Sequence, residues 1–255
     1  MDFGPSFLER GRVYAIGDIH GRSDLLDRIV MAIRSDLEAN PVENCVTVTL
    51  GDYFDRGSDS RGVIERLLSN PFPSDFIPLK GNHELLFENF LRQPAVAEHW
   101  RRLGGLETLA SYGVPVELMM RGQSYRQAAE ALEAAVPQAH LNFVSSLRTS
   151  LSIGPYFFCH AGVRPGVPLD RQSEDDLLWI REPFLARSEF RKDCGAWAHS
   201  GGTAGIARES HQRRYGCLCH QQAHVCGPWQ TSTPIPVDQS LRRATQITFA
   251  APPRS

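Results

Sequence analysis

Short apolar runs punctuate the chain, and each stops at a cluster of glycine and polar residues. Arg12 to Ile16 (RVYAI) ends at GDIHG, and Val46 to Leu50 (VTVTL) ends at GDYFDRG. Phe76 to Leu79 (FIPL) ends at KGNHE, and Tyr156 to Cys159 (YFFC) ends at HAGV. Such runs, bounded by turn-forming residues, predict β-strands. Between the first three, Ser23 to Leu37 and Ser60 to Leu68 repeat apolar residues at helical spacing, with Ser23 and Ser60 as expected N-caps. Strands alternating with helices predict βαβ units around a buried sheet. The loops after the carboxyl ends of such strands are where α/β proteins place their chemistry.

Residues 84–150 read as mainly helical, with breaks at Gly104-Gly105 and at Tyr112-Gly113-Val114-Pro115. Ser124 to Leu147 reads as two helices split at Pro137. The expected organisation is a catalytic domain over 1–188, with a helical insert at about 84–150, and an atypical tail over 189–255. In that tail apolar periodicity disappears, while Gly, Arg, Gln, His and Pro accumulate without order.

Composition narrows the picture only a little. A length of 255 residues, 42% hydrophobic and 22% charged, suits a globular chain with ample core. A net charge of -2 argues against a nucleic-acid partner or a polybasic membrane patch. No run approaches the ~18 apolar residues that span a bilayer, so no membrane partner and a cytoplasmic location are expected. Six cysteines are present, and Cys45, Cys159 and Cys194 are scattered, which favours reduced thiols.

The chemistry gathers at the strand ends. Singly, each group has an ordinary reading: Asp18 and His20 as a turn, Asp52 and Asp55 as Asx turns, Asn82-His83-Glu84 as a helix start, His160 as a strand-end histidine. Jointly, successive strands deliver Asp, His, Asn and Arg to the same kind of position, each beside a glycine that admits close backbone approach. Oxygen and imidazole donors without thiolate suit manganese, iron or zinc in a catalytic site better than a structural zinc.

The ordered set GDIHG (17–21), GDYFDRG (51–57), KGNHE (80–84) and HAGV (160–163), with DLLWIRE at 176–182, resembles the phosphoprotein phosphatase family. That family belongs to the calcineurin-like metallophosphoesterases, and the serine/threonine protein phosphatases of bacterial type are the nearest group. The resemblance implies an α/β fold, a β-sandwich flanked by helices in four αββα layers. It implies two divalent metals, manganese above all, with Asp18 and His20 on one, Asn82 and His160 on the other, and Asp52 bridging. It implies His83 as the general acid with Asp55 orienting it, and Arg56, Arg181 and Asn82 on the substrate phosphate. The implied reaction is phosphomonoester hydrolysis by a metal-activated water, on a phosphorylated protein or a small phosphoester. Hydrolysis of a dinucleoside polyphosphate is the alternative, and an inactive phosphate- or metal-binding relative is another. The Glu after His83 favours the phosphatase. The sequence names no oligomeric state.

The tail departs from this resemblance. A further metal-binding histidine in a segment like VHGHTP and a closing segment like DTGAYATNKLTCVVL are both missing, so C-terminal strands are expected to be absent or disrupted. The stretch Tyr215 to Cys226 (YGCLCHQQAHVC) instead places Cys217, Cys219, His220, His224 and Cys226 together, as a small zinc module might be spelled. Its Cys-x-Cys-His crowding departs from the usual Cys-x-x-Cys spacing. Codons for Lys192 to Gly201 and for His211 to Trp229, displaced by one nucleotide, permit both missing segments. The chain is therefore expected to leave its ancestral frame near Glu189 to Arg191. Nucleotide sequencing across codons 185–230 checks this: the displaced frame should encode GHTP and DTGAYAT, and any other reading there defeats the idea.

Overall fold

The computed structural model describes residues 11–120, 125–154 and 156–181, with the backbone of 196–197, 216–218 and 247–249. Strand β1 (Gly11–Ile16) leads into helix α1 (Ser23–Ala39), then β2 (Asn44–Thr49), α2 (Ser60–Leu68) and β3 (Asp75–Pro78). β1 pairs parallel with β2, and β2 parallel with β3. These are the expected βαβ crossovers. Strand and helix boundaries fall within two residues of those read from the apolar pattern.

The expected N-caps are a correction. Ser23 and Ser60 are the first helical residues, and the caps are Arg22, without a side-chain bond, and Asp59, which accepts from the Gly62 N–H. Both hydroxyls are taken elsewhere. Ser23 donates to the Asp59 carboxylate, and Ser60 accepts the N–H of Asp55 in the preceding loop.

A run of helices follows β3: α3 (Asn82–Arg92), α4 (Ala97–Arg102), α5 (Gly105–Ser111), α6 (Glu117–Met120), α7 (Tyr125–Ala135) and α8 (Gln138–Ser146). Its breaks fall at the glycines and at Pro137. The chain then returns as a hairpin of β4 (Ser150–Ile153) and β5 (Tyr156–Cys159), antiparallel. β4 was not legible, because four residues with serine at alternate places carry little apolar signal. Helix α9 (Glu174–Trp179) is the last long element among the described residues.

From the tail come β6 (Ala196–Trp197), β7 (Gly216–Leu218) and β8 (Ile247–Phe249). One sheet has the order β3-β2-β1-β8 and the other β4-β5-β7-β6. Of these strands two or three residues each are described, so the expectation that C-terminal strands are absent or disrupted falls largely outside the described residues. Apart from the backbone of 196–197 and 216–218, the displaced-frame segments and the Cys/His side chains of Tyr215 to Cys226 lie outside the described residues.

Packing follows from strand alternation. Val13 and Ala15 of β1 and Val46 and Val48 of β2 face Leu151, Ile153, Tyr156 and Phe158 of the second sheet. On the other face, Tyr14 and Ile16 pack against Leu26, Ile29 and Ile33 of α1 and the helices after β3. Strands buried on both faces read as continuous apolar runs, which is why β1 and β2 were legible. Phe157 and Cys159, on the opposite face of β5, are also buried, while their β4 neighbours Ser152 and Ser150 are exposed and half-buried. No helix among the described residues is long and apolar enough to cross a membrane. Cys45 and Cys159 are free thiols, and burial raises Cys45 to about 11.

One polar cluster interrupts this core. Arg12, 6% exposed on β1, donates to Asp36 of α1 at 2.6 Å, and the Tyr14 hydroxyl donates to the same oxygen at 2.6 Å. Removing one member of a buried pair leaves the other charge uncompensated. Asp36→Ala should therefore cost about 3 kcal/mol in urea denaturation while leaving metal binding at the distant strand ends intact; a change under about 0.5 kcal/mol would mean that water already satisfies Arg12.

Candidate metal centre

The loops after β1, β2, β3 and β5 meet at one end of the sandwich. Leu50 N–H donates to Ile16 O, and the N–H groups of Ile19 and His20 both donate to Asp52 O, at 3.0 and 2.8 Å. Gly51 has φ +102°, and a Cβ there would lie 2.2 Å from Gly81 N, so this crossing of two loops requires glycine. The His160 ring reaches back from β5, its Nδ1 2.9 Å from Leu50 O.

Site residues occupy costly backbone. His20, Asp52, Asp55 and Arg56 have φ of 42°, 57°, 72° and 66°. Each such residue costs on the order of 1 kcal/mol or more unless its surroundings over-determine it. Glu84 does much of that. Wholly buried on α3, its carboxylate accepts the N–H of Asp52 at 2.8 Å, of Tyr53 at 2.7 Å and of Gly81 at 2.8 Å. The Gly81 bond is half of a capping box, glycine having no side chain to return the other half.

Lone pairs converge at the centre. His20 Nδ1 lies 2.7 Å from Phe54 O, so Nδ1 carries the proton and Nε2 presents its lone pair. Nε2 is buried without a hydrogen-bond partner, 3.4 Å from Asp18 Oδ2 and 3.6 Å from Asp52 Oδ2. His160, held likewise by Leu50 O, turns Nε2 towards Asn82 Oδ1 at 2.8 Å and Asp52 Oδ1 at 3.5 Å. Two triads have donor atoms close enough to share an ion: His20, Asp52 and His83, and Asp18, Asp52 and His160. Asp52 belongs to both, one carboxylate oxygen towards each.

Electrostatics agree with that geometry. Burial pushes Asp18 up to about 7, and Asp52 is raised by burial and by the neighbouring Asp18 charge. Burial also raises Glu84 and lowers His160. A pocket of crowded acceptors that resists ionising is what a divalent cation relieves. The residues present fit two such ions, and the oxygen and imidazole donor set is that of a catalytic site.

The pattern of calcineurin-like phosphoesterases matches residues 11–230, most of the chain and every residue of this cluster. The chain belongs to the calcineurin-like phosphoesterase family. An uncharacterised protein of Caenorhabditis elegans is 38% identical over 85 residues, which cover 31% of this chain and 34% of that protein. A candidate diadenosine tetraphosphatase structure is 23% identical with a TM-score of 0.44, covering 68% of this chain and 60% of that one. A protein serine/threonine phosphatase from Saccharomyces cerevisiae is 19% identical with a TM-score of 0.38, covering 67% and 49%. The chain thus spans about a third of its curated relative and less than two thirds of either structure.

Within this family member, Asp18, His20, Asp52, Asn82 and His160 lie together at the strand ends. His83 Nδ1 donates to Asp55 Oδ2, 2.6 Å away, and its Nε2 sits 3.3 Å from an Arg56 guanidinium nitrogen, which can only donate, and 3.7 Å from Asp52 Oδ2. A guanidinium against Nε2 disfavours a metal there, so His83 is set apart from the other histidines although it shares a triad. Burial lowers His83 to about 3, leaving it neutral. Arg181 is not brought in: it is exposed after α9, without a polar contact among the described residues.

Sequence reasoning passed over Trp100 and Thr108, and it read Glu84 as a helix-start residue and a mark of the family without seeing that it holds the Asp52 loop. For Glu84 a signal existed, a Glu at the third helical position after Gly81. Trp100 and Thr108 bond Asp55 from 45 and 53 residues away, and no local pattern announces that. Glu84→Gln should cost about 2–3 kcal/mol by leaving a buried N–H facing an amide NH₂, and should weaken manganese binding in calorimetric titration. An unchanged melting temperature with unchanged titration would show that Glu84 does not hold the Asp52 loop.

Proposed function

We propose that this chain is a metal-dependent phosphomonoester hydrolase acting as a serine/threonine protein phosphatase. The observation that supports it most is the Asp52 carboxylate, which turns one oxygen to His20 and the other to His160 and so joins two metal-binding triads. Asp18 and His20 would hold one cation, Asn82 and His160 the other, with Asp52 between. Two divalent ions, manganese in this reading, would supply a water of lowered pKa and positive charge for the phosphoryl oxygens.

The chain's own residues supply the rest. Arg56, 3.3 Å from His83 Nε2, is placed to take phosphoryl oxygens as a bidentate fork beside the proton donor. Arg181 is assigned the same task from its place in DLLWIRE. Asp55 keeps the His83 ring oriented through Nδ1, so that Nε2 faces the leaving oxygen. His83 is neutral in the free site, and a dianionic phosphoryl group beside Nε2 raises its affinity for the proton it must give up.

With manganese, a phosphoserine peptide and p-nitrophenyl phosphate should both be turned over, and diadenosine tetraphosphate poorly. The reverse preference would move the assignment to dinucleoside polyphosphate hydrolysis, and tight phosphate binding without turnover would mark an inactive relative. Asp52→Asn should lower hydrolysis at least 100-fold; near-normal activity would sink the site assignment.

A further inference from the structure

We propose that Trp100 and Thr108, from the helical segment after α3, are positioning residues for the reaction, fixing the Asp55 carboxylate and through it the aim of His83. The inference rests on the reading of His83 as the proton donor. Asp55 is fully buried, and both its oxygens are taken. Oδ1 accepts the Thr108 hydroxyl at 2.6 Å, and Oδ2 accepts the Trp100 indole N–H at 2.9 Å while facing His83 Nδ1 at 2.6 Å. Thr108 Oγ1 also accepts the N–H of Asp55 itself at 2.9 Å. One hydroxyl therefore ties down the main chain and the side chain of the same residue.

The neighbouring residue is gripped as well. Arg56 donates its N–H to Gly104 O at 3.2 Å. Gly104 has φ +106°, and a Cβ there would stand 2.5 Å from Arg56 N. The stretch from Trp100 to Thr108 thus holds Asp55 and Arg56 at several points, from α4, the α4–α5 junction and α5. Trp100 is itself immobilised, fully buried with its ring 4.6 Å from that of Phe90 and 6.4 Å from that of Phe87. Asp55 needs such anchors because its backbone sits in the left-handed region, at φ 72°, where it has little intrinsic preference to stay.

If these contacts only tied helices to the sheet, their loss would lower stability and every activity alike. A positioning role has a narrower signature. Proton donation matters most when the leaving group is a poor one, so an alkyl phosphate suffers more than an aryl phosphate when the donor is misaimed.

The test compares Thr108→Val, Thr108→Ser and Trp100→Phe with His83→Asn, using a phosphoserine peptide and p-nitrophenyl phosphate with manganese. Thr108→Val and Trp100→Phe should lower kcat on the peptide about tenfold or more, with a smaller loss on p-nitrophenyl phosphate, KM and manganese affinity unchanged, and Thr108→Ser close to wild type. Independently of turnover, the downfield Nδ1–H proton resonance of His83 should be present in wild type and Thr108→Ser and lost or shifted in Thr108→Val. Equal losses on both substrates, or an unmoved resonance in both Thr108→Val and Trp100→Phe, overturn the inference. If His83→Asn itself shows no dependence on the leaving group, the donor reading falls and this inference with it; if His83→Asn shows it and the other variants do not, only the inference falls.

Discussion

A single buried carboxylate holds the site in shape. Glu84 accepts N–H groups from Asp52, Tyr53 and Gly81, and so joins the loop after β2 to the start of α3. The consequence reaches further than those bonds. Asp52 can turn its oxygens towards both triads only while its backbone stays left-handed, a conformation an aspartate tolerates but does not seek. Asp52 O in turn accepts two N–H groups from the loop carrying His20, and Asp52 Oδ1 accepts the N–H of His83. Three motif loops are thus indexed to one residue, and that residue to Glu84. Burial raises the carboxyl of Glu84, and three N–H donors pull in the opposite direction, favouring the ionised form.

The same concentration of acceptors makes the site electrostatically uncomfortable. Asp18 and Asp52 are buried side by side, and each imidazole has its proton committed to a backbone carbonyl, Phe54 O for His20 and Leu50 O for His160. With both Nδ1 atoms occupied, both Nε2 atoms are left as lone pairs facing oxygens. A fold arranged for its own stability alone would place donors there. Pairing of this kind, backbone carbonyl to Nδ1 and open Nε2, is how proteins fix histidine tautomers for metal binding. His83 differs in its partner: its Nδ1 faces a carboxylate and its Nε2 a guanidinium. Identical side chains are sorted into distinct tasks by what sits behind each ring.

Much of this was legible in the sequence, for a physical reason. β1 and β2 are buried on both faces, so they appear as uninterrupted apolar runs. The groups at their ends are polar, glycine-flanked and contiguous in sequence, so the motif reveals the candidate ligands. What escaped is non-local or locally ambiguous. β4 presents alternate serines, the hydroxyls of Ser23 and Ser60 serve loops instead of helix ends, and Trp100 and Thr108 reach Asp55 only because the helices after β3 fold back. Arg181 shows the opposite failing, since its motif matched while its side chain stands apart among the described residues. A motif fixes which residue types are close in sequence, but a contact across 50 residues depends on packing that no local window contains.

The two triads also differ in what they depend on. His20 and Asp52 come from loops of the first sheet, whose β1, β2 and β3 have four to six residues each, and His83 from the first turn of α3 after β3. The other triad needs His160, which follows β5 of the second sheet. That strand is flanked by β4 on one side and by the three-residue β7 of the tail on the other. His160 is tied to the first sheet by its contact with Leu50 O and by the apolar packing of Tyr156 and Phe158 on Val46 and Val48. Any change in how the tail pairs with β5 therefore acts on His160 before it acts on His20.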